Sequence, residues 1–161
     1  MQPETARTGE EQRARLTRRA LLAGGLAAPA VLLANPVPAA TRGMVKDVAS
    51  YHRALAALVE KFRFSLVDIR ADWCAVCHRI EREILSHPTV RRHLEQVPLL
   101  KVDVTAMDEA NRQLLAHLRA SGPPTFFVVD AASGAEYDQT RSLGSFSRRN
   151  LIRRLAPFSG V

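Results

Sequence analysis

The sequence contains 161 residues, 47% of them hydrophobic, which is enough for one folded domain with a core and excludes a wholly disordered chain. Its formal charge is +7, and basic residues recur along the chain in short pairs such as Arg148-Arg149. Such pairs are typical of solvated helix faces, so we predict no nucleic-acid partner. The two cysteines are only three residues apart, and a loop that short argues against a structural role as a staple.

The first forty residues predict an export signal. Arg18 and Arg19 close a basic opening, residues 20–34 carry no charge, and small residues follow at 36–40. The segment resembles a twin-arginine signal, and its apolar run is short for a bilayer span of about 20 residues. We therefore expect a periplasmic protein whose domain covers residues 41–161. An uncleaved N-terminal membrane anchor at 1–40 is the alternative.

The rest of the chain alternates between predicted strands and helices. The first half of the domain is predicted to contain a strand at 44–48, a helix at 51–61 with Ser50 as its N-cap, a strand at 64–69 and a helix starting at the cysteines. A helix at 88–95, a strand at 99–104 and a helix at 108–119 follow. The chain then forms a strand at 126–129, an edge strand at 141–146 and a last helix, capped by Ser147, that ends at about 155. In the helix at 108–119 we expect Ala110, Leu114, Leu115 and Leu118 to face the core. This alternation predicts the α/β class, with a central mixed sheet flanked by helices on both faces.

The two cysteines lie at the predicted junction between a strand and a helix. Cys74 then meets the unpaired N–H groups and the positive dipole end of the helix, which favour a thiolate. Cys77 follows nearly one turn later and is placed to resolve a mixed disulfide. It also lies on the apolar stripe of the helix, where burial raises the pKa of a thiol. We therefore predict that Cys74 attacks and Cys77 resolves.

Two acidic residues surround this motif. Asp68 interrupts an apolar strand, and a buried carboxylate usually takes up a proton or finds a partner. It is expected either to exchange a proton with Cys77 or, more simply, to pair with Arg70 or lie at a solvated edge. Glu81 lies four residues after Cys77, on nearly the same helix face, where it tunes the same thiol or remains an ordinary surface residue.

A second candidate feature is Pro123-Pro124-Thr125, just before the third apolar strand. Proline lacks an N–H group and often marks a turn, and the bond preceding a proline can be cis at modest cost. A cis Pro124 facing the cysteines would offer a groove to an extended substrate strand.

Taken together, the segment Trp73-Cys74-Ala75-Val76-Cys77, with Asp68 upstream and Pro124-Thr125 downstream, resembles the thioredoxin superfamily. The segments at 71–74, 100–105 and 114–118, together with Glu81, are similar to the C-terminal periplasmic domain of the thiol:disulfide reductase family DsbD. The resemblance covers about residues 45–156.

This resemblance implies a thioredoxin-like fold and a redox-active Cys74–Cys77 disulfide, with no other cofactor. It implies that Asp68 and Glu81 are acidic tuners and that Pro124 is the cis-proline. Trp73, Pro123 and Thr125 complete the implied substrate groove.

The implied partners are disulfide-containing periplasmic proteins and a membrane thiol electron donor. That donor is expected to be a separate protein, since these 161 residues include no membrane electron channel. We expect a monomer. Pro123, directly before the cis-proline, departs from the family pattern and is expected to alter substrate choice.

Three other interpretations remain open from the sequence. The segment from Cys74 to His78 also spells C-x-x-C-H, the attachment signature of c-type haem. Two thiolates and the His78 imidazole could instead hold a soft metal ion in a non-catalytic chaperone, although we predict no metal site. An oxidant or isomerase would carry the same motif as a reductant, because about 30 mV corresponds to only about 1.4 kcal/mol.

Overall fold

The computed structural model describes residues 43–161, so the predicted export segment at 1–40 lies outside the described residues. The helices are α1 Val48–Val59, α2 Ala75–Ile80 followed directly by a π-helical turn Glu81–Leu85, α3 Pro88–Leu94, α4 Glu109–His117 and α5 Arg148–Ser159. The strands are β1 Phe64–Arg70, β2 Leu99–Asp103, β3 Thr125–Asp130 and β4 Ser142–Leu143, and a 3₁₀ turn spans Asp138–Thr140. No helix within residues 43–161 has both the length and the apolar character needed to cross a membrane.

The four strands form one mixed sheet in the order β2-β1-β3-β4. Strand β1 runs parallel to β2 and antiparallel to β3, and β3 runs antiparallel to β4. The β1–β2 crossover contains α2 and α3, as a parallel connection requires. This confirms the predicted fold class, a central mixed sheet with helices on both faces.

Side chains alternate across β1, so the sheet has two apolar clusters, one on each face. Val67 and Ile69 belong to the cluster that includes α1 and α4. Leu66 belongs to the cluster that includes α3 and α5. The cysteine-bearing helix α2 contributes to both, through Cys77 and Ile80 respectively. The redox segment is therefore fixed to the core of the domain.

The N-terminal part of the domain differs from the prediction in two details. The predicted strand at 44–48 is reduced to a single bridge between Val45 and Val102. Helix α1 is capped by Asp47 rather than Ser50: the Ser50 N–H donates to Asp47 Oδ1 at 2.6 Å, and the Asp47 N–H donates to Ser50 Oγ at 3.1 Å. This reciprocal capping box satisfies two helix-end donors at once, so the helix begins three residues earlier than predicted.

The C-terminal part also differs from the prediction. Strand β4 has only two residues instead of six, because Gly144 takes a left-handed φ of 71° and turns the chain out of the strand. Helix α5 continues past the predicted end at 155 to Ser159, with Pro157 in its last turns. In α4, Ala110 is exposed and the neighbouring Asn111 is buried. The Asn111 amide donates to the Lys46 carbonyl at 2.8 Å, and this bond compensates the burial of a polar group.

Candidate redox site

The cysteines lie at the N-terminus of α2, as predicted. Cys74 is the N-cap residue, and its Sγ accepts the Cys77 backbone N–H at 3.1 Å. The two sulfurs form a disulfide, and the Cα atoms are 5.3 Å apart. A sulfur in this position receives the free N–H groups that the first helical turn cannot satisfy internally. The same N–H group stabilises a Cys74 thiolate once the disulfide is reduced.

Burial does not distinguish the two cysteines in the disulfide form. Cys77 is 5% exposed, which agrees with its predicted place on the buried stripe, and Cys74 is only 7% exposed. The assignment of Cys74 as the attacking thiol therefore stays a prediction that rests on its capping position.

Trp73 forms an exposed wall immediately before the first cysteine. The residue is 58% exposed, and its Nε1–H donates to the Thr105 carbonyl at 3.1 Å. The Asp72 N–H donates to Thr105 Oγ1 at 2.9 Å, and His78 Nε2 donates to the Asp72 carbonyl at 2.7 Å. Thr105 therefore anchors the loop that carries the motif, a role that the sequence analysis did not assign to it.

The peptide bond between Pro123 and Pro124 is cis. Thr125 begins β3 directly after it and pairs with Ile69 near the end of β1, the strand that leads into the cysteine loop. Thr125 Oγ1 donates to the Gly122 carbonyl at 2.6 Å, and the Gly144 N–H donates to the Pro124 carbonyl at 3.0 Å. The cis-prolyl segment is thus held from both sides, and Pro123 offers no N–H to a bound strand.

Asp68 is buried in the middle of β1, with 4% of the residue exposed, and its Oδ1 has no hydrogen-bond partner. Burial raises the pKa of Asp68 to about 7, and the positive charges of Arg70 and Lys101 limit that rise. The nearby negative charge of Glu81 acts in the same direction as burial. A carboxyl group of this kind exchanges protons near neutral pH.

Glu81 is the partner of both neighbouring cations. Its Oε2 is 3.3 Å from Arg70 Nη2, and its Oε1 accepts a hydrogen bond from Lys101 Nζ. The hydrogen bond from Lys101 is the main cause that lowers the pKa of Glu81. Glu81 is therefore part of an ion-pair network and not an isolated surface residue. Arg70, considered as a partner for Asp68, is instead paired with Glu81.

The structure thus brings Asp68 and Glu81 together in one charged cluster, completed by Arg70 and Lys101. Sequence reasoning missed Lys101, although the signal was present. Lys101 interrupts the apolar strand β2 just as Asp68 interrupts β1, and the two residues face each other in the parallel register. Among residues 43–161, no three His, Cys, Asp or Glu side chains are grouped to hold a metal ion.

Comparison with known proteins identifies the family. The family described as Thioredoxin-like matches residues 46–131. The chain also superposes on the C-terminal domain of DsbD from Neisseria meningitidis in its reduced form, with a TM-score of 0.62 and 27% identity. That superposition covers 71% of this chain and 99% of the bacterial domain. The chain therefore belongs to the thioredoxin-like family.

Within that family, the chain is similar to thiol:disulfide interchange proteins. It is 34% identical to DsbD 1 of Pseudomonas aeruginosa over 121 residues, which are 73% of this chain and 20% of that protein. It is 39% identical to DsbD of Escherichia coli K12 over 89 residues, or 55% of this chain and 16% of that protein. The chain spans about a fifth of the length of such relatives. With its Cys74–Cys77 disulfide, it carries a DsbD-like thiol–disulfide oxidoreductase domain.

Proposed function

We propose that this protein is an exported dithiol reductant, which passes electrons from a membrane thiol donor to disulfides of periplasmic proteins. The observation that carries the proposal is the capping position of Cys74, whose sulfur accepts the Cys77 N–H at 3.1 Å. This contact favours the thiolate, and the thiolate is the form that attacks a disulfide. Cys77 is close enough to complete the exchange.

The reaction proceeds in two exchanges. The Cys74 thiolate attacks one sulfur of a substrate disulfide, and the other substrate sulfur leaves as a thiolate that takes up a proton. The Cys77 thiol then loses its proton and attacks Cys74 Sγ, which releases the second substrate sulfur. The substrate has gained two electrons, and the protein has lost them and holds the Cys74–Cys77 disulfide. A membrane thiol donor reverses this change by the same exchange.

Asp68 is proposed to accept and return the proton of Cys77. Its pKa of about 7 keeps both of its protonation states accessible near neutral pH, and its Oδ1 has no competing partner among residues 43–161. Glu81 acts on this step through the charged cluster, because its negative charge raises the pKa of Asp68. Glu81 is thus a tuning residue that acts through another group.

The substrate strand is proposed to lie between Trp73 and the segment Pro123-Pro124-Thr125. Trp73 supplies an exposed aromatic wall, and the cis-prolyl segment flanks the strand that leads into the cysteine loop. Because the Pro124 carbonyl already accepts the Gly144 N–H and Pro123 has no N–H, this segment offers few backbone hydrogen bonds. Apolar contact with Trp73 and the prolines is then the main source of substrate affinity.

The names of the relatives describe thiol:disulfide interchange, which supports the proposed chemistry. We infer that the electron donor is a membrane thiol protein and that the domain works in the periplasm as a monomer without a further cofactor. By analogy with the family, the substrates are disulfides in isomerases or in apocytochromes that await haem.

The test is a trapping experiment with Cys77→Ser, expressed as the full chain in an exporting bacterium. Without the resolving thiol, Cys74 should accumulate mixed disulfides with substrates, which gel electrophoresis separates and mass spectrometry identifies. Cys74→Ser is the matched control and should trap nothing. Equal trapping by the two variants would contradict the assigned roles.

The direction of electron flow requires a second measurement on the unmodified protein. A reduction potential near the thioredoxin value of about −270 mV is expected for a reductant, and one near the DsbA value of about −120 mV would show an oxidant. Metal bound stoichiometrically by the reduced protein, without insulin-reduction activity, would favour the chaperone interpretation.

A further inference from the structure

Basic residues are distributed unequally between the two helical layers. Helices α3 and α5 together contain six arginines and no acidic residue. Helices α1 and α4, which contribute to the apolar cluster on the other face of the sheet, together contain two arginines and one glutamate. The unbalanced positive charge of the helices is therefore concentrated on one side of the domain.

The arginines of α3 and α5 form one surface because the two helices share an apolar cluster. Val90 of α3 and Leu151 and Leu155 of α5 are buried in this cluster, so the opposite sides of both helices face outward. Four exposed arginines lie on these outward sides, and we name them the arginine face: Arg91, Arg92, Arg149 and Arg153.

Within residues 43–161, no arginine of the arginine face forms an ion pair with a carboxylate. The ion pairs of the described chain join Lys46 to Asp103, Arg70 and Lys101 to Glu81, Arg112 to Glu109 and Arg141 to Glu136. Arg149 and Arg153 lie four positions apart on one helix, a spacing at which like charges repel and reduce helix stability. A cost of this kind is compensated when an anionic partner binds.

The arginine face also contains no largely exposed hydrophobic side chain of the kind found at the centre of a protein interface. The large hydrophobic residues that are exposed within 43–161 are Met44, Val59, Trp73, Met107, Leu143 and Val161, and none belongs to α3 or α5. Protein interfaces usually carry aromatic and aliphatic side chains at their centre. Guanidinium groups without such a centre fit a surface of phosphates, to which each group donates paired hydrogen bonds.

We propose that the arginine face docks the domain on the anionic phospholipid headgroups of a membrane surface. The proposal is independent of the redox chemistry, because neither cysteine takes part in the contact. Docking of this kind confines the domain to the plane in which a membrane thiol donor is found, and it raises the frequency of encounter without a specific protein–protein contact.

The test measures sedimentation of the full chain with vesicles of phosphatidylglycerol and phosphatidylcholine, at low and at high salt. The face variant is Arg91→Gln, Arg149→Gln and Arg153→Gln, since glutamine retains helix propensity while removing the charge. Each basic residue near an anionic surface contributes about a fivefold gain in affinity, so the three changes should weaken binding by about 100-fold. High salt should weaken binding of the unmodified chain as well.

The matched control removes three charges elsewhere, with Arg53→Gln, Lys61→Gln and Arg112→Gln, and should bind nearly as well as the unmodified chain. All variants keep residues 1–42, so the contribution of that segment is the same in the face variant and in the control, and the difference between them reports on the arginine face. Equal binding by the face variant and the control would overturn the proposal. It would also be overturned if soluble polyglutamate bound the arginine face while phosphatidylglycerol vesicles did not.

The redox role is separated from docking by a Cys74→Ser, Cys77→Ser double variant, which should bind vesicles like the unmodified chain. The face variant should in turn keep its insulin-reduction activity in solution. Loss of vesicle binding in the cysteine variant would contradict the independence of the two functions.

Discussion

In the second half of strand β1, residues 67–70, the two faces are both buried but differ in chemistry. Val67 and Ile69 on one face are fully enclosed in an apolar cluster with α1 and α4. Asp68 and Arg70 on the other face are also nearly inaccessible, yet both carry ionisable groups. In this half of the strand, one side contributes apolar packing, and the other side holds the carboxyl group that we propose exchanges a proton with Cys77.

An ionisable group can be buried either when an opposite charge pairs with it or when the group stays neutral. Arg70 is satisfied by Glu81, whereas Asp68 has no partner on its Oδ1 and meets the cost by keeping its proton to a higher pH. A group that must bind and release a proton near neutral pH needs a raised pKa of this kind. The apolar face has no such requirement, and its side chains contribute only packing.

The largest expected effect concerns the pH dependence of stability in Asp68→Asn. The pKa of Asp68 is 3.8 when unfolded and about 7 when folded, so the native state of the unmodified protein loses stability as pH rises between these values. Asparagine does not titrate. With the disulfide intact, urea unfolding should show the variant gaining about 4 kcal/mol relative to the unmodified protein between about pH 4 and pH 8.

Asp130→Asn is the control, because its carboxylate accepts hydrogen bonds from residues 132 and 133 that lower its pKa. The stability provided by Asp130 is present above pH 3.8 and is lost as pH falls through the lowered pKa of its carboxyl group. This pH dependence is opposite in sign to that of Asp68. Parallel pH profiles for the two variants would contradict the assignment of Asp68.

On the apolar face, Ile69→Ala should reduce the free energy of unfolding by about 3 kcal/mol at every pH, because the cavity and the lost transfer energy do not depend on ionisation. Chemical denaturation at two pH values measures this. Val59→Ala, at a site that is 43% exposed, should change stability by less than about 0.5 kcal/mol. A pH-dependent loss for Ile69→Ala would mean that the two faces are coupled.

Among the site and core variants, excluding the controls, the smallest effect is expected for Glu81→Gln. This change leaves the buried Arg70 without its anionic partner and should cost about 1–2 kcal/mol. It also removes a negative charge that raises the pKa of Asp68, so the Asp68 titration should move to lower pH. Differential scanning calorimetry across pH measures both effects.

Glu109→Gln breaks the exposed ion pair with Arg112 and serves as the comparison. An exposed pair contributes at most about 1 kcal/mol, so its loss should barely alter the melting temperature. If Glu81→Gln behaved like Glu109→Gln, the charged cluster would have no energetic role.

The sequence alone predicted the parts of the fold that depend on local pattern. Apolar runs marked β1, β2 and β3, and the cysteine pair marked the start of α2. The boundary of α1 was misplaced because Ser50 and Asp47 are both good capping residues, and only the reciprocal bonds between them decide which one caps. Strand β4 was overestimated because its pairing ends at Gly144, in the tertiary structure.

The candidate site could be predicted only residue by residue. Asp68 and the cysteines were found because each is unusual in its own segment. Their cooperation with Lys101 could not be read from the sequence, since it depends on the register that sets Asp68 opposite Lys101 in neighbouring strands. The function of Thr105 as an anchor for the loop is equally a product of tertiary contacts.

The chain contains a single tryptophan, and that residue directly precedes the first cysteine. Because the Trp73 indole is tied to the Thr105 carbonyl while most of its ring meets solvent, its emission reports on this one locality. We expect this emission to differ between the disulfide and dithiol forms, because the change of oxidation state occurs at the adjacent residue. The intrinsic fluorescence of Trp73 can therefore report the oxidation state of the cysteine pair without an attached dye.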